Sequence, residues 1–81
     1  MKTTPKYVRI EDDLKRKEIF YELINAGYCD TSSYMKNTGQ TGIGIDYQGC
    51  VFETYGIPSY KNLVNYGNDV QSFLKSALNY E

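Results

Sequence analysis

The sequence predicts an α+β domain: a small antiparallel sheet of three to four strands with two helices packed on one face, in the order β-α-(β)-β-β-β-α. Two amphipathic helical stripes lie near the two ends of the chain. Between them, Ile43, Ile45 and Tyr47 alternate towards Gln48-Gly49, and Cys50 and Phe52 alternate away from it, the pattern of a hairpin. At 81 residues there is room for one core and no second domain.

Residues 6–10 form the first expected strand, since Tyr7, Val8 and Ile10 favour extended backbone. Pro5 precedes it, where a missing ladder donor does little harm. The spacing predicts a helix over 12–26, with Ile19, Phe20, Leu23 and Ile24 on one stripe. Glu11, Asp12 and Asp13 suit the positive end of its dipole, and Gly27 suits a left-handed stop. The polar stretch from Tyr28 to Gly42 holds a candidate strand at 33–36 and then a flexible loop at 37–42.

For the hairpin, a two-residue turn would set Tyr47 opposite Cys50 and Ile45 opposite Phe52. Ile43, Ile45, Tyr47, Cys50 and Phe52 then share an apolar face, and Gly44, Asp46, Val51 and Glu53 share the other. That register is expected because it gathers more apolar side chains. A type I turn with a Gly bulge, starting at Asp46, would pair Ile45 with Val51 instead. Residues 60–66 read as another strand. Asn68 is expected to cap the last helix, with Gln71 completing a capping box. Val70, Phe73, Leu74, Ala77 and Leu78 follow at i, i+3, i+4, i+7 and i+8, the strongest periodic signal in the chain.

Composition removes several chemistries. There is no His, so Ser–His–Asp and Cys–His mechanisms have no base within the chain. The two cysteines, Cys29 and Cys50, have no paired-cysteine zinc spacing; they are expected as free, partly buried thiols rather than a bridge. Nine Lys and Arg balance ten Asp and Glu, a net charge of −1, unlike a basic nucleic-acid wrapper. Charges follow soon after the N-terminal Met1, with no apolar stretch of signal-peptide length, and no apolar run could span a bilayer. The chain reads as a soluble cytoplasmic domain without a cofactor or a metal.

The motifs are weighed against plain structural roles. Lys15-Arg16-Lys17 could meet phosphate, but Glu11–Lys15, Asp12–Arg16 and Asp13–Lys17 are i, i+4 pairs, which reads as a solvated, self-compensated face. The glycines of 39–44 enter a hairpin rather than a helix and lack a following Lys-Ser/Thr, so they are no phosphate loop. Asp46 and Glu53 could act as paired carboxylates, yet two carboxylates without a third ligand read as a polar sheet face.

Tyrosine is the unusual feature, with nine in the chain. Tyrosine forms strands well and rims small cores, and an AT-rich coding sequence enriches it without selection for binding. Nine is still more than this sheet should hide. Tyr34, Tyr55, Tyr60 and Tyr66 fall in or beside expected loops and edges, where rings can anchor a partner. With Asn37 and Gln40 of the loop they form the expected partner-binding surface.

Asn25 to Tyr28 (Asn-Ala-Gly-Tyr), Ile43 to Asp46 (Ile-Gly-Ile-Asp) and Asp69 to Leu74 (Asp-Val-x-x-Phe-Leu) carry a resemblance. In layout the chain resembles small proteins encoded by bacteriophages and prophages of low-GC bacteria. That resemblance implies a stoichiometric inhibitor of host machinery, of the kind that includes anti-CRISPR and other anti-defence proteins. It assigns no functional residue, since the similar positions are a helix stop, a hairpin and a capped helix. The leading expectation is therefore a non-enzymatic module that binds a host protein. The alternative is a domain that stacks single-stranded nucleic acid on sheet tyrosines. A metal-assisted enzyme built on Asp46 and Glu53 is the third class. Self-pairing through an exposed sheet edge would give a homodimer.

Overall fold

A computed structural model describes residues 3–30 and 40–78. The elements follow the expected order: β1 (Lys6–Arg9), α1 (Asp13–Asn25), β2 (Cys29–Asp30), β3 (Gly42–Ile45), β4 (Cys50–Thr54), β5 (Val64–Asn65) and α2 (Val70–Leu78). The candidate strand at 33–36 lies outside the described residues, and β2 precedes it.

Five strands form one mixed sheet in the order β2-β4-β3-β1-β5. The expectation of three to four antiparallel strands is corrected here. β1–β3 and β3–β4 are antiparallel, whereas β1–β5 and β2–β4 are parallel. Connectivity allows this: α1 carries the chain from β1 to the far edge, where β2 pairs with β4, and the long segment after β4 brings the chain back to pair β5 on the outside of β1. The last strand is also shorter than expected. A turn at Tyr60–Leu63, with Asn62 at φ 64°, takes up most of 60–66 and leaves Val64–Asn65 to pair with β1.

The hairpin adopts the bulged register, so Ile45 faces Val51 and Gly44 faces Phe52. Local hydrogen bonding outweighs the gathering of apolar residues. Asp46 Oδ1 accepts from the backbone N of Gln48 and of Cys50, each at 2.9 Å. Gly49 N closes the turn on Asp46 O at 3.1 Å, and Gly49 sits at φ 80°, where a side chain would be strained. One residue of slip reverses the faces. Val51 and Glu53 therefore join Ile43 and Ile45 towards the helices, and Phe52 joins Gly44 on the opposite side.

Both helices cover one face. Ile19, Phe20 and Leu23 of α1, with Phe73 and Ala77 of α2, pack on Val8, Ile10, Ile43, Ile45 and Val51. Asp12 caps α1 by accepting from Leu14 N and Lys15 N. Gly27 (φ 108°) ends it as expected, with Tyr28 N bonded to Leu23 O and Gly27 N to Ile24 O. The stripe of α2 is borne out, with Val70, Leu74 and Leu78 half-buried beside Phe73 and Ala77. Its cap is Asp69 rather than Asn68: Ser72 N and Oγ both donate to the Asp69 carboxylate.

Arg16 departs furthest from expectation. It is not on a solvated face but is 1% exposed, inside the core stripe of α1. Its Nε donates to Glu53 Oε2 at 2.8 Å, its Nη1 to Ile10 O and Gln40 O at 2.9 and 2.8 Å, and its Nη2 to Asp13. The partner expected at i−4, Asp12, caps the helix instead.

Candidate functional site

The sheet face away from the helices is built on two glycines. Tyr7 and Arg9 of β1 point to this side because Val8 and Ile10 point into the core. A Cβ on Gly42 would lie 2.4 Å from Tyr7 Cε1, and one on Gly44 would lie 2.6 Å from Phe52 Cζ. Both rings therefore rest on bare backbone that any larger residue would displace. Tyr60 closes the layer from above. It packs on Phe52 at 5.7 Å between ring centroids and edge-on against Tyr47 at 5.6 Å. Tyr47 also ties this layer to the chain after β4 by donating from its hydroxyl to Lys61 O at 2.7 Å.

Beside that aromatic layer the chain leaves β4 through a pinned turn. Thr41 Oγ1 donates to Tyr55 O at 2.6 Å, and Thr54 Oγ1 donates to Gly56 O at 2.7 Å. The side chains on this turn have no inward place. Tyr55 is 68% exposed and Ile57 65%. They form one wall of a cleft of about 480 Å³ whose floor is Tyr7 and Arg9 and whose far wall is Asn65 and Asn68.

The electrostatics of the cleft are close to neutral. Both Nε and Nη2 of Arg9 donate to Glu11 Oε2, and this hydrogen bonding raises the Arg9 pKa. Burial pushes the Tyr7 phenol up, so its proton stays on at physiological pH. Asn65 Oδ1 accepts from Gly67 N at 2.8 Å, which steadies the far wall. An apolar wall, amide groups and a compensated cation can hold a peptide-like surface; they do not form an acid–base pair.

The expected surface residues divide. Tyr34 and Asn37 lie outside the described residues, as do residues 37–39 of the loop at 37–42. Gln40 is 3% exposed rather than presented on a loop surface, and its backbone carbonyl accepts from Arg16 Nη1. Thr41 O accepts from Ile10 N, Thr41 N donates to Thr54 O, and Gly42 opens β3. Tyr60 and Tyr66 are half-buried, Tyr66 lying edge-on to Phe73 at 5.9 Å. Tyr55 alone of the described set stands outward. Sequence reasoning missed Ile57, Tyr7, Arg9, Asn65 and Asn68. An isolated isoleucine before Pro58 was the available signal for the first; the others needed the parallel docking of β5.

Asp46 and Glu53 do not form a pair. Asp46 holds the hairpin turn, and Glu53 is 6% exposed on the helix side. Among the described residues no three His, Cys, Asp or Glu side chains gather as a metal site, and no helix is long and apolar enough to cross a membrane. The Arg16–Glu53 cluster is chemically rich but sealed. Burial opposes the Arg16 charge, and hydrogen bonds to Asp13 and Glu53 outweigh it, so its pKa is raised. Glu53 Oε1 and Gln40 Oε1 are buried and accept no hydrogen bond among the described residues.

No protein-family model matches the chain, and no curated protein or solved structure matches it either.

Proposed function

We propose that the chain is a non-enzymatic protein-binding module that covers part of a partner's surface with the Tyr55–Ile57 ridge and the cleft behind it. The observation that carries this reading is the pair of large apolar side chains, each about two-thirds exposed, held out by a hydrogen-bonded turn. Rigid exposed apolar groups beside a concavity are what interface anchors require, because little entropy is lost on docking. The near-neutral charge supports a protein partner over a nucleic acid, whose phosphates call for uncompensated Lys and Arg. With the resemblance to phage-encoded proteins, the reading becomes an inhibitor of a host defence protein acting in the host cytoplasm. Both described sheet edges, β2 and β5, are two residues long, so they offer a twin little ladder to pair with and favour a monomer.

The test compares capture from host lysate by the wild type and by Tyr55→Ala/Ile57→Ala. The expected result is a host protein retained by the wild type, with affinity for it falling by at least about 30-fold in the variant at unchanged thermal midpoint. Retention of single-stranded nucleic acid in place of protein, or capture indifferent to both substitutions, would overturn the reading.

A further inference from the structure

β2 and β4 run parallel, and their register places Cys29 beside Cys50 and Asp30 beside Val51. Neighbouring strands lie about 4.8 Å apart, within the Cα separations of roughly 4.4–6.8 Å that a disulfide spans. Register partners on adjacent strands also project to the same face. Both thiols are free; Cys29 is exposed and Cys50 half-buried. The pair is braced by the hairpin turn. Cys29 N donates to Gly49 O at 2.8 Å, Cys50 N donates to Asp46 Oδ1 at 2.9 Å, and Asp46 N donates to Cys50 O at 2.9 Å. A hydrogen bond to Cys29, with burial and the Asp46 charge behind it, pushes the Cys50 thiol up to about 11. Cys50 thus keeps its proton and donates it towards its neighbour, and the more exposed Cys29 is the sulfur that a small reagent meets first.

We infer that Cys29 and Cys50 form a reversible dithiol–disulfide site whose oxidant is a low-molecular-weight disulfide of the glutathione class. The Cys29 thiolate attacks one sulfur of that disulfide, forms a mixed disulfide and expels one thiolate, which takes up a proton. Cys50 then gives its proton to solvent, and its sulfur attacks Cys29 Sγ and displaces the second small thiol. Two protein thiols have lost two electrons, and the small disulfide has become two thiols. The bond closes a ring over residues 29–50 and pins the short edge strand β2 to β4.

The test incubates the full chain in glutathione buffers of increasing oxidised fraction, quenches with an alkylating reagent and measures intact mass. The wild type is expected to pass from two alkylated thiols to none, with the loss of two hydrogens and no glutathione retained. Cys50→Ser, which cannot resolve the mixed disulfide, is expected to retain one glutathione on Cys29. The oxidised wild type should unfold at a midpoint higher by on the order of 10 °C. Glutathione kept on the wild type as on Cys50→Ser, disulfides between chains, or an oxidised form with a lowered midpoint would each overturn the assignment. Circular dichroism of both proteins confirms that the serine variant is folded. None of these readouts involves the Tyr55–Ile57 surface, so the outcome stands apart from the proposed binding function.

Discussion

Replacing Arg16 by methionine should cost far more than replacing its partner Glu53 by glutamine. Arg16 has several anions and carbonyls around it, so without the Glu53 charge it still holds Asp13, Ile10 O and Gln40 O. Glu53 has no such reserve: Oε2 is held by Arg16, and Oε1 accepts nothing among the described residues. Glutamine at 53 keeps an acceptor for Arg16 Nε and loses only charge assistance, about 1 kcal/mol. Methionine at 16 fills similar volume but strands a carboxylate that is 6% exposed, which costs about 3–5 kcal/mol. A domain of this size has roughly 4–12 kcal/mol in total, so Arg16→Met removes about a quarter of it or more. The double variant Arg16→Met/Glu53→Leu removes the stranded charge and should regain about 2 kcal/mol over Arg16→Met alone. Urea denaturation followed by circular dichroism measures all three, with trimethylamine oxide added if Arg16→Met is unfolded in plain buffer. An Arg16→Met cost below about 1 kcal/mol, or a double variant no more stable than the single, would refute the reasoning.

Two further outcomes follow from particular atoms. Gly44→Ala puts a Cβ 2.5 Å from Lys6 O and 2.6 Å from Phe52 Cζ; a ladder carbonyl cannot step aside, so urea titration should show a loss of about 3 kcal/mol. Asp69 is held below the ordinary carboxylate range by hydrogen bonds from Ser72 N and then Ser72 Oγ. Its folded pKa is depressed, so its contribution is complete above the unfolded value of about 3.9 and is lost as pH falls through the folded value. The thermal midpoint of the wild type should therefore drop more steeply below about pH 4 than that of Asp69→Asn, and parallel curves would contradict the cap.

Helix α2, the stop of α1 at Gly27 and the order of elements were legible because each rests on neighbours in the sequence. Val70, Phe73 and Ala77 fall on one stripe whatever the rest of the chain does, and a glycine after a helix needs only its own φ. The hairpin register was not legible from apolar alternation, since both registers satisfy period two. A single carboxylate, Asp46, decided it by accepting two backbone N–H groups that a two-residue turn would have left differently placed. Arg16 was illegible for a related reason. Its spacing to Ile19, Phe20 and Leu23 puts position 16 on the buried stripe. Its neighbours Lys15 and Lys17 are exposed, however, and its charge partner Glu53 is 37 residues away, so the local pattern reads as a solvated face. The parallel strands were likewise invisible, because β2 and β5 are too short to carry a pattern of their own.

The bulged hairpin and the buried Arg16 are linked, and the link explains why the candidate surface lies where it does. In the expected register Phe52 would have faced the helices and Glu53 the solvent. The bulge turns Glu53 inward, where Arg16 must neutralise it, and turns Phe52 outward, where Gly44 makes room for its ring. An outward Phe52 on a half-covered sheet exposes apolar area, and Tyr60 and Tyr47 are spent covering it. That use ends before β1, because Tyr60 reaches Phe52 and Tyr47 but the chain then turns away through Asn62 into β5. What remains is the cleft beside Arg9 and the edge of the buried Tyr7 ring, bounded by Tyr55 and Ile57. Tyr47 and Tyr60 seal the second face of a sheet too small to bury it with helices. The binding ridge is the part of that face the seal does not reach.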